Sequence, residues 1–399
     1  MLPGLQASPV WSLATPQGAG GEKPNVFPVG TAVVVATANG ARTTVELRDA
    51  ATGHVRKSFT TDGRVSGETW WGKPAIVVRE QRVVPSDGLS AEKRSWSVDA
   101  YDERGEPLGR TELPFLGRES TNGAAIEDGW LIRTTDSRPG GSVTVLRAGD
   151  TGSGQLFTCA KDCSFAVGSG RRASVVGSGE VPLLVNGTVF TIERTGTGTL
   201  APRRIVAHDA ASGARLWATD TVDKPAGADP KAYDTGSVPD ILGSVDGSIA
   251  IAWDTKPYGQ AAVVSLHDRT TGRLVATGPT SPEGASTVLT DATGAVAVLG
   301  SGGTNSRSTV WEPSSGRTLW QQAADEHPLS ADSVVGGVLY GIRADQDTMN
   351  TRTPIAVDVR TKQVLAQGFD ATYLPTPIGE RFAVVATHLA VFVFAVRPQ

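Results

Sequence analysis

The sequence has only two cysteines and two methionines among 399 residues, and aromatic residues account for 6% of it. No segment approaches the roughly 18 consecutive apolar residues that a membrane-spanning helix requires. The most apolar stretch, residues 382–396, is interrupted by Thr387 and His388 and favours two adjacent strands. Neither sign of charge is in excess, because 37 basic and 41 acidic side chains leave a net charge of −4. This balance argues against binding to nucleic acid or to an anionic membrane surface.

The N-terminus shows no targeting signal, since residues 1–9 contain neither a basic region nor an apolar one. We expect residues 1–8 to form a flexible leader and residues 9–399 to form a single domain. A Pro/Gly/Ser-rich start directly after Met1 is typical of a trimmed ectodomain. Arginine outnumbers lysine and alanine is abundant, a composition typical of a high-GC bacterial genome.

The two cysteines, Cys159 and Cys163, are close together in the sequence. This spacing suits a small disulfide loop in an exported protein. The alternative is two buried free thiols, or one buried and one exposed. A zinc site is not expected, because no second Cys/His pair occurs at ligand spacing.

Glycine is abundant, with 47 residues, and proline contributes 24, which predicts many short elements joined by tight turns. One phrase recurs along the chain: an apolar strand, an acidic residue, a Ser/Thr-Gly turn and a second short strand. Its turn anchors lie at positions 53, 105, 152, 213, 272, 316 and 362, about 51 residues apart on average. Seven unrelated hairpins are the alternative, but a further β-rich segment precedes each anchor at a similar distance.

The acidic residue of the phrase has a clear structural role. Its carboxylate can accept the backbone N–H groups of the turn that follows, and glycine supplies the positive φ that the turn needs. We therefore expect four aspartates to cap their turns: Asp49, Asp209, Asp268 and Asp358.

Four short strands per unit of about 50 residues indicate an all-β fold, a β-propeller of four-stranded antiparallel blades. Seven anchors and one composite blade at the chain ends predict eight blades, with seven as the alternative. Residues 381–386 and 389–396 supply inner strands of the last blade. Residues 9–14 resemble the outer strand at residues 215–219, so we expect an N-terminal strand to close the ring and remove its open edges.

The phrase Ala207-x-Asp209-x-x-Ser212-Gly213-x-x-x-Trp217 resembles the tryptophan-docking motif of the pyrroloquinoline-quinone-type propellers. Gly316 and Trp320 repeat its second half. The resemblance implies that Trp11, Trp217 and Trp320 dock between blades. The motif is eroded elsewhere, since five other residues stand where tryptophan is expected: Lys57, Gly109, Leu156, Ala276 and Ala366.

The enzymes of this family are alcohol and sugar dehydrogenases that bind the quinone with Ca²⁺, and many carry a disulfide between adjacent cysteines. This chain has no adjacent cysteine pair and is shorter than those enzymes. The resemblance therefore implies a non-enzymatic branch, which includes the lipoprotein scaffold of the bacterial outer-membrane assembly machine. Sensor propellers of actinobacterial membrane proteins and kinases belong to it too, and the composition favours these.

No residue pattern predicts a catalytic, cofactor-binding or metal site. His208 and His267 share one position of the repeat, which favours packing over a ligand role. Residues 345–350 are rich in oxygen ligands but lack the central glycine and the distal Glu of a twelve-residue calcium loop, so a solvated turn is expected.

Trp70 and Trp71 are the strongest candidates for an interface, because neighbours along a strand point to opposite faces and one of the two is then exposed. The alternative is that both are buried between blades.

The sequence thus predicts a monomeric, non-catalytic, extracytoplasmic propeller that acts as a protein-interaction scaffold or sensor ectodomain. Its expected partner is an envelope or membrane protein. A small molecule or glycan in the central channel, or a quinone-dependent oxidoreductase, are the alternatives.

Overall fold

The structure is a computed structural model. It describes residues 2–14, 24–84, 93–114, 124–127, 130–134, 143–147, 155–159, 163–165, 183–185, 187–194, 202–233, 238–256, 261–300, 307–344, 352–369, 373–387 and 389–397. The described residues are all-β: they contain no helix, and hence none that could cross a membrane.

Strands of the first half of the chain run in this order: β1 Trp11–Ala14, β2 Asn25–Val29, β3 Ala32–Asn39, β4 Arg42–Asp49, β5 Val55–Thr61, β6 Arg64–Trp70, β7 Lys73–Val84, β8 Lys93–Tyr101, β9 Pro107–Pro114, β10 Ala124–Glu127, β11 Trp130–Thr134, β12 Val143–Arg147, β13 Gln155–Cys159, β14 Cys163–Phe165, β15 Leu183–Val185, β16 Thr188–Arg194, β17 Arg203–Asp209 and β18 Arg215–Ala218.

The second half continues with β19 Asp240–Val245, β20 Ser248–Asp254, β21 Ala262–His267, β22 Leu274–Ser281, β23 Thr287–Thr290, β24 Ala297–Gly300, β25 Ser308–Glu312, β26 Arg317–Gln321, β27 Leu329–Val335, β28 Val338–Ala344, β29 Arg352–Asp358, β30 Val364–Gln367, β31 Tyr373–Ile378, β32 Phe382–Ala386 and β33 Ala390–Ala395.

These strands form antiparallel sheets, which we number as blades along the chain: blade 1 is β2–β5, blade 2 β6–β9, blade 3 β10–β13, blade 4 β14–β18, blade 5 β19–β22, blade 6 β23–β26, blade 7 β27–β30, and blade 8 β31–β33 with β1. The first strands contact one another between blades 1 and 2, 2 and 3, 5 and 6, 6 and 7, and 7 and 8, and β31 contacts β2. Blade 4 joins blade 3 through β14 and β12 and packs against blade 5 in a shared apolar layer, so the blades form a ring. The predicted β-propeller is confirmed.

The strand count needs one correction. Of the eight sheets that the structure describes, seven are four-stranded and blade 4 is five-stranded. In blade 4 both β14 and β15 pair with β16, at Thr191–Glu193 and Thr188–Phe190 respectively. The prediction of four strands in every blade is therefore wrong for blade 4, because two short segments, β14 and β15, share the first strand position there.

The N-terminal strand completes blade 8, as predicted. β1 pairs antiparallel with β33, and Trp11 lies opposite Val393. Residues 2–8, expected to be a flexible leader, pack onto the ring: Leu5 is fully buried and forms a bridge with Val396. The Tyr340 hydroxyl donates a hydrogen bond to the Pro3 carbonyl. This segment thereby contributes apolar surface to the contact between blades 7 and 8.

The core consists of layers between successive blades. The middle strands are buried along nearly their whole length, as in β21, because another blade covers each face of the sheet. Outer strands such as β5 alternate between exposed and half-buried residues. In the layer between blades 4 and 5, for example, Phe190 and Trp217 pack with Ile249 and Trp253.

Replacing Trp217 tests how far these layers depend on one side chain. Trp217 is almost fully buried, so Trp217→Ala is expected to lower the free energy of unfolding by about 3–5 kcal/mol. Chemical denaturation followed by circular dichroism measures this loss. Val275→Ala, at an exposed position, is the control. A loss below about 1 kcal/mol for Trp217→Ala would contradict its docking role.

Candidate functional site

The three tryptophans that resemble docking residues make the same contact. The indole N–H donates to a backbone carbonyl of the next blade in each case: Trp11 to Ala50 at 2.9 Å, Trp217 to Arg269 at 2.8 Å and Trp320 to Val359 at 2.9 Å. Each acceptor directly follows the aspartate of a turn: Asp49, Asp268 or Asp358. The outer strand of one blade is thus tied to the turn of its neighbour.

The aspartates themselves organise those turns. Asp209 Oδ1 accepts the N–H groups of Ala211 and Ser212 at 3.1 and 2.8 Å, and the Ser212 hydroxyl at 2.7 Å. Asp49, Asp268 and Asp358 accept the corresponding three bonds in their own turns. The Ser212 hydroxyl, with the backbone N–H groups, lowers the pKa of Asp209 because these donors favour the carboxylate.

A β-bulge follows each of these turns and aims the docking residue. Seven sheets carry one extra residue near the start of the outer strand: Arg56, Leu108, Leu156, Leu216, Val275, Leu319 and Leu365. The residue after the bulge pairs back into the sheet and occupies the docking position. In blade 3 that residue is Phe157, which pairs with Val145. Leu156, predicted there by spacing, is the bulged residue instead.

Other side chains replace the tryptophans that are missing. The Lys57 ammonium donates to the Gly105 carbonyl of the next blade at 2.7 Å. In the layer between blades 5 and 6, Trp311 comes from the opposite side, and a Cβ atom at Gly278 would lie 2.6 Å from its ring. Trp70, from the first strand of the same blade, covers Gly109. The eroded positions are therefore filled, but by residues that the repeat does not identify.

A serine–histidine pair in blade 5 has the geometry of a nucleophile and its base. Ser265 Oγ lies 2.8 Å from His267 Nε2. The His267 Nδ1–H donates to the Gly272 carbonyl at 2.9 Å, and the Trp253 indole N–H donates to Ser265 Oγ at 2.7 Å. Both Ser265 and His267 are fully buried, so a substrate cannot reach the hydroxyl. The chain of bonds joins β20 and β21 to the turn after them.

Two aspartates on first strands face a different environment. Asp240 and Asp332 are exposed to solvent, yet desolvation by the surrounding protein raises the pKa of both. In the described part of the chain, no three acidic, His or Cys side chains come together as metal ligands.

Trp70 is buried and Trp71 is exposed, but a turn, and not strand alternation, separates them. Trp70 is 1% exposed, whereas Trp71 is 37% exposed. Trp70 pairs with Lys73, so Trp71 and Gly72 form a two-residue hairpin turn, with φ values of +52° and +74°. Positive φ at both positions defines a type I′ turn, which favours Asn, Asp or Gly.

The same turn in other blades carries those small residues. Blade 5 has Asp246 and Gly247, and blade 7 has Gly336 and Gly337, all with positive φ. In blade 4, Gly187 has positive φ as well, and residue 186 lies outside the described residues. Among these equivalent turns, blade 2 places a large aromatic side chain where the backbone conformation disfavours it.

Several predicted features lie outside the described residues. β13 ends at Cys159 and β14 begins at Cys163, but the side chains of both cysteines lie outside the described part, so the disulfide stays a prediction. The oxygen-rich residues 345–350 also lie outside it.

Comparison with known proteins finds no matching protein-family model and no matching curated protein. Among solved structures, BamB from Moraxella catarrhalis is 18% identical, with a TM-score of 0.47, over 97% of this chain and 99% of that chain.

The computationally designed Ika8 protein is 14% identical, with a TM-score of 0.46, over 98% of this chain and 100% of that chain. A quinohemoprotein alcohol dehydrogenase, ADHIIG from Pseudomonas putida HK5, is 11% identical, with a TM-score of 0.44, over 98% of this chain and 78% of that chain. Similarity at this level assigns neither an activity nor a partner.

The buried histidine makes stability depend on pH. Burial lowers the pKa of His267, while the Gly272 carbonyl and Asp223 act to raise it. Protons therefore bind the unfolded chain first, and the free energy of unfolding falls as pH drops below the unfolded value of about 6.5. His267→Asn should weaken the dependence between about pH 5 and pH 7.

Urea denaturation across this pH range measures the effect. His54→Asn, at an exposed position, is the control substitution. The same slope in His267→Asn as in the unmodified protein would contradict the assignment.

Proposed function

We propose that this chain is a non-catalytic β-propeller that binds other proteins, either as a scaffold or as the sensor ectodomain of an exported protein. The observation that carries the proposal is Trp71. A bulky residue with positive φ costs on the order of 1–3 kcal/mol, and the equivalent turns that the structure describes in blades 5 and 7 avoid that cost with Asp or Gly. Tryptophan is also the side chain most enriched among residues that dominate binding energy at protein interfaces.

The neighbourhood of the turn supports this use. Trp70 is buried directly beneath it, with its ring centroid 6.0 Å from that of Trp71, so the exposed indole stands on a rigid base. Lys73, the first residue after the turn, is exposed and supplies a positive charge beside the aromatic surface. A rigid aromatic anchor loses little conformational entropy when a partner covers it.

The proposed location is extracytoplasmic. The support is the close spacing of Cys159 and Cys163, which suits an oxidising compartment, together with the resemblance to exported propellers. An envelope or membrane protein is the partner that follows from this location.

Trp71→Asn separates the two effects of the tryptophan. Asn-Gly is the preferred sequence for a type I′ turn, so the free energy of unfolding should stay equal or rise by up to about 1 kcal/mol. Binding should weaken by about 2 kcal/mol or more. Capture from cross-linked envelope extract, compared between Trp71→Asn and the unmodified bait by quantitative mass spectrometry, identifies proteins that depend on Trp71. Titration of a purified one then measures the loss.

Asp246→Asn is the matched control, because it keeps the same turn in blade 5 and should not change the captured proteins. If every captured protein binds Trp71→Asn as well as the unmodified bait, the proposed interface is wrong.

The oxidation state of Cys159 and Cys163 in the native protein tests the proposed extracytoplasmic location. Protein isolated from its native source without reductant, and alkylated before lysis, should show no free thiol in denaturant. After reduction, Cys159 and Cys163 should both become alkylated, as measured by mass spectrometry. Two free thiols before reduction would instead fit a reducing compartment.

A further inference from the structure

A pocket of about 270 Å³ lies between blades 6 and 7, near the outer rim of the ring. One side of it is formed by Trp320, Gln322, Asp325, Glu326 and His327. Ile355 and Val357 of β29 form an apolar floor. Val364 and Gln367 of β30, the outermost strand of blade 7, also line it. The pocket therefore adjoins the edge of a sheet.

That edge exposes apolar side chains. β30 has the sequence Val-Leu-Ala-Gln, with neither charge nor proline, so its short length and the bulge at Leu365 are its only protections against pairing. The outermost strands β1, β13 and β22 also lack charge. What distinguishes β30 is exposure: Val364 is 52% exposed and Leu365 is 40% exposed, and no other outermost strand has two such exposed large apolar side chains among the described residues.

The two basic side chains that line the pocket, Lys362 and Arg343, differ in how many hydrogen-bond acceptors they contact. Lys362 pairs with Glu326 at 2.6 Å and also donates to the Gln321 carbonyl at 3.0 Å. Arg343 donates only a long bond, 3.3 Å, to Gln367 Oε1, and it forms no ion pair within the described ranges. A guanidinium group with open donors favours a carboxylate, which it binds through two parallel hydrogen bonds.

We propose that β30 and this pocket bind an extended, acidic-apolar peptide segment of a partner protein. The segment adds to blade 7 as a further strand, and its backbone pairs with the exposed edge of β30. Alternate side chains of an added strand project onto one face of the sheet, so one apolar side chain enters the pocket over Ile355 and Val357. An Asp or Glu carboxylate of the segment then binds Arg343.

An extended peptide fits this surface better than a compact ligand does. Main-chain pairing at a sheet edge supplies affinity, and a pocket beside the edge supplies specificity. The surface belongs to blade 7, whereas the Trp71 turn belongs to blade 2. Peptide binding at the β30 surface is therefore independent of the function proposed for Trp71.

The probe is a phage-displayed library of linear peptides, selected on the intact protein. Enriched sequences should alternate apolar residues and contain Asp or Glu. One enriched peptide, synthesised with a fluorescent label, is then titrated by anisotropy. Hydrogen exchange should show new protection of β30 amides when this peptide binds. Failure to enrich any such pattern overturns the proposal.

Substitution at Leu365 tests whether the peptide contacts the edge of β30. Leu365→Lys places a charge on the edge and should weaken binding by about tenfold or more. Val275→Lys is the matched control, because Val275 is the extra residue of the same bulge in blade 5 and is 49% exposed. It should leave binding unchanged.

Arg343→Gln should weaken binding of the acidic peptide, but not of the same peptide with Gln in place of its acidic residue. Circular dichroism must show that Leu365→Lys and Arg343→Gln are both folded. If Leu365→Lys then binds the peptide as tightly as the unmodified protein does, strand addition at β30 is wrong.

Discussion

The ring depends on one repeated hydrogen bond, from the end of an outer strand to the turn of the next blade. An indole N–H makes it at three interfaces, and the Lys57 ammonium makes a related bond to Gly105 at a fourth. The bond is possible because the acceptor carbonyl is presented by a turn that an acidic side chain holds rigid. A buried N–H left without an acceptor would cost about 1–3 kcal/mol, so spacing and orientation of neighbouring blades are coupled to the turn.

Where the docking tryptophan is missing, the interface is filled from another direction. Trp311 reaches Gly278 from the following blade, and Trp70 covers Gly109. Between blades 7 and 8, Tyr340 packs with Leu5 of the N-terminal segment beside Ala366. Close packing requires the volume between two sheets to be occupied, but it does not specify which sheet supplies the side chain. This freedom explains how the repeat can erode while the architecture persists.

The two surfaces proposed for binding both depart from the repeat in a single blade. Trp71 stands where the described turns of other blades have Asp or Gly, and β30 carries two exposed apolar side chains, Val364 and Leu365. At most positions the blades share one solution because they share one packing problem. A departure that brings no packing advantage, such as an exposed aromatic residue with positive φ, favours a role outside the fold.

The amino-acid sequence by itself determined the features that depend on neighbouring residues along the chain. These are the all-β class, the repeat of about 51 residues, the turns at Asp49, Asp209, Asp268 and Asp358, and the closing N-terminal strand. Strand alternation and turn chemistry act over a few residues, so their patterns are visible in the sequence.

Only the tertiary structure decided the divided first strand of blade 4, the roles of Trp311 and Leu5, the Ser265–His267 chain and the pocket beside β30. Each depends on which residues from distant segments meet. Burial in a layer between two sheets depends on total volume and on available hydrogen-bond partners, and neither quantity has a period that a single sequence displays.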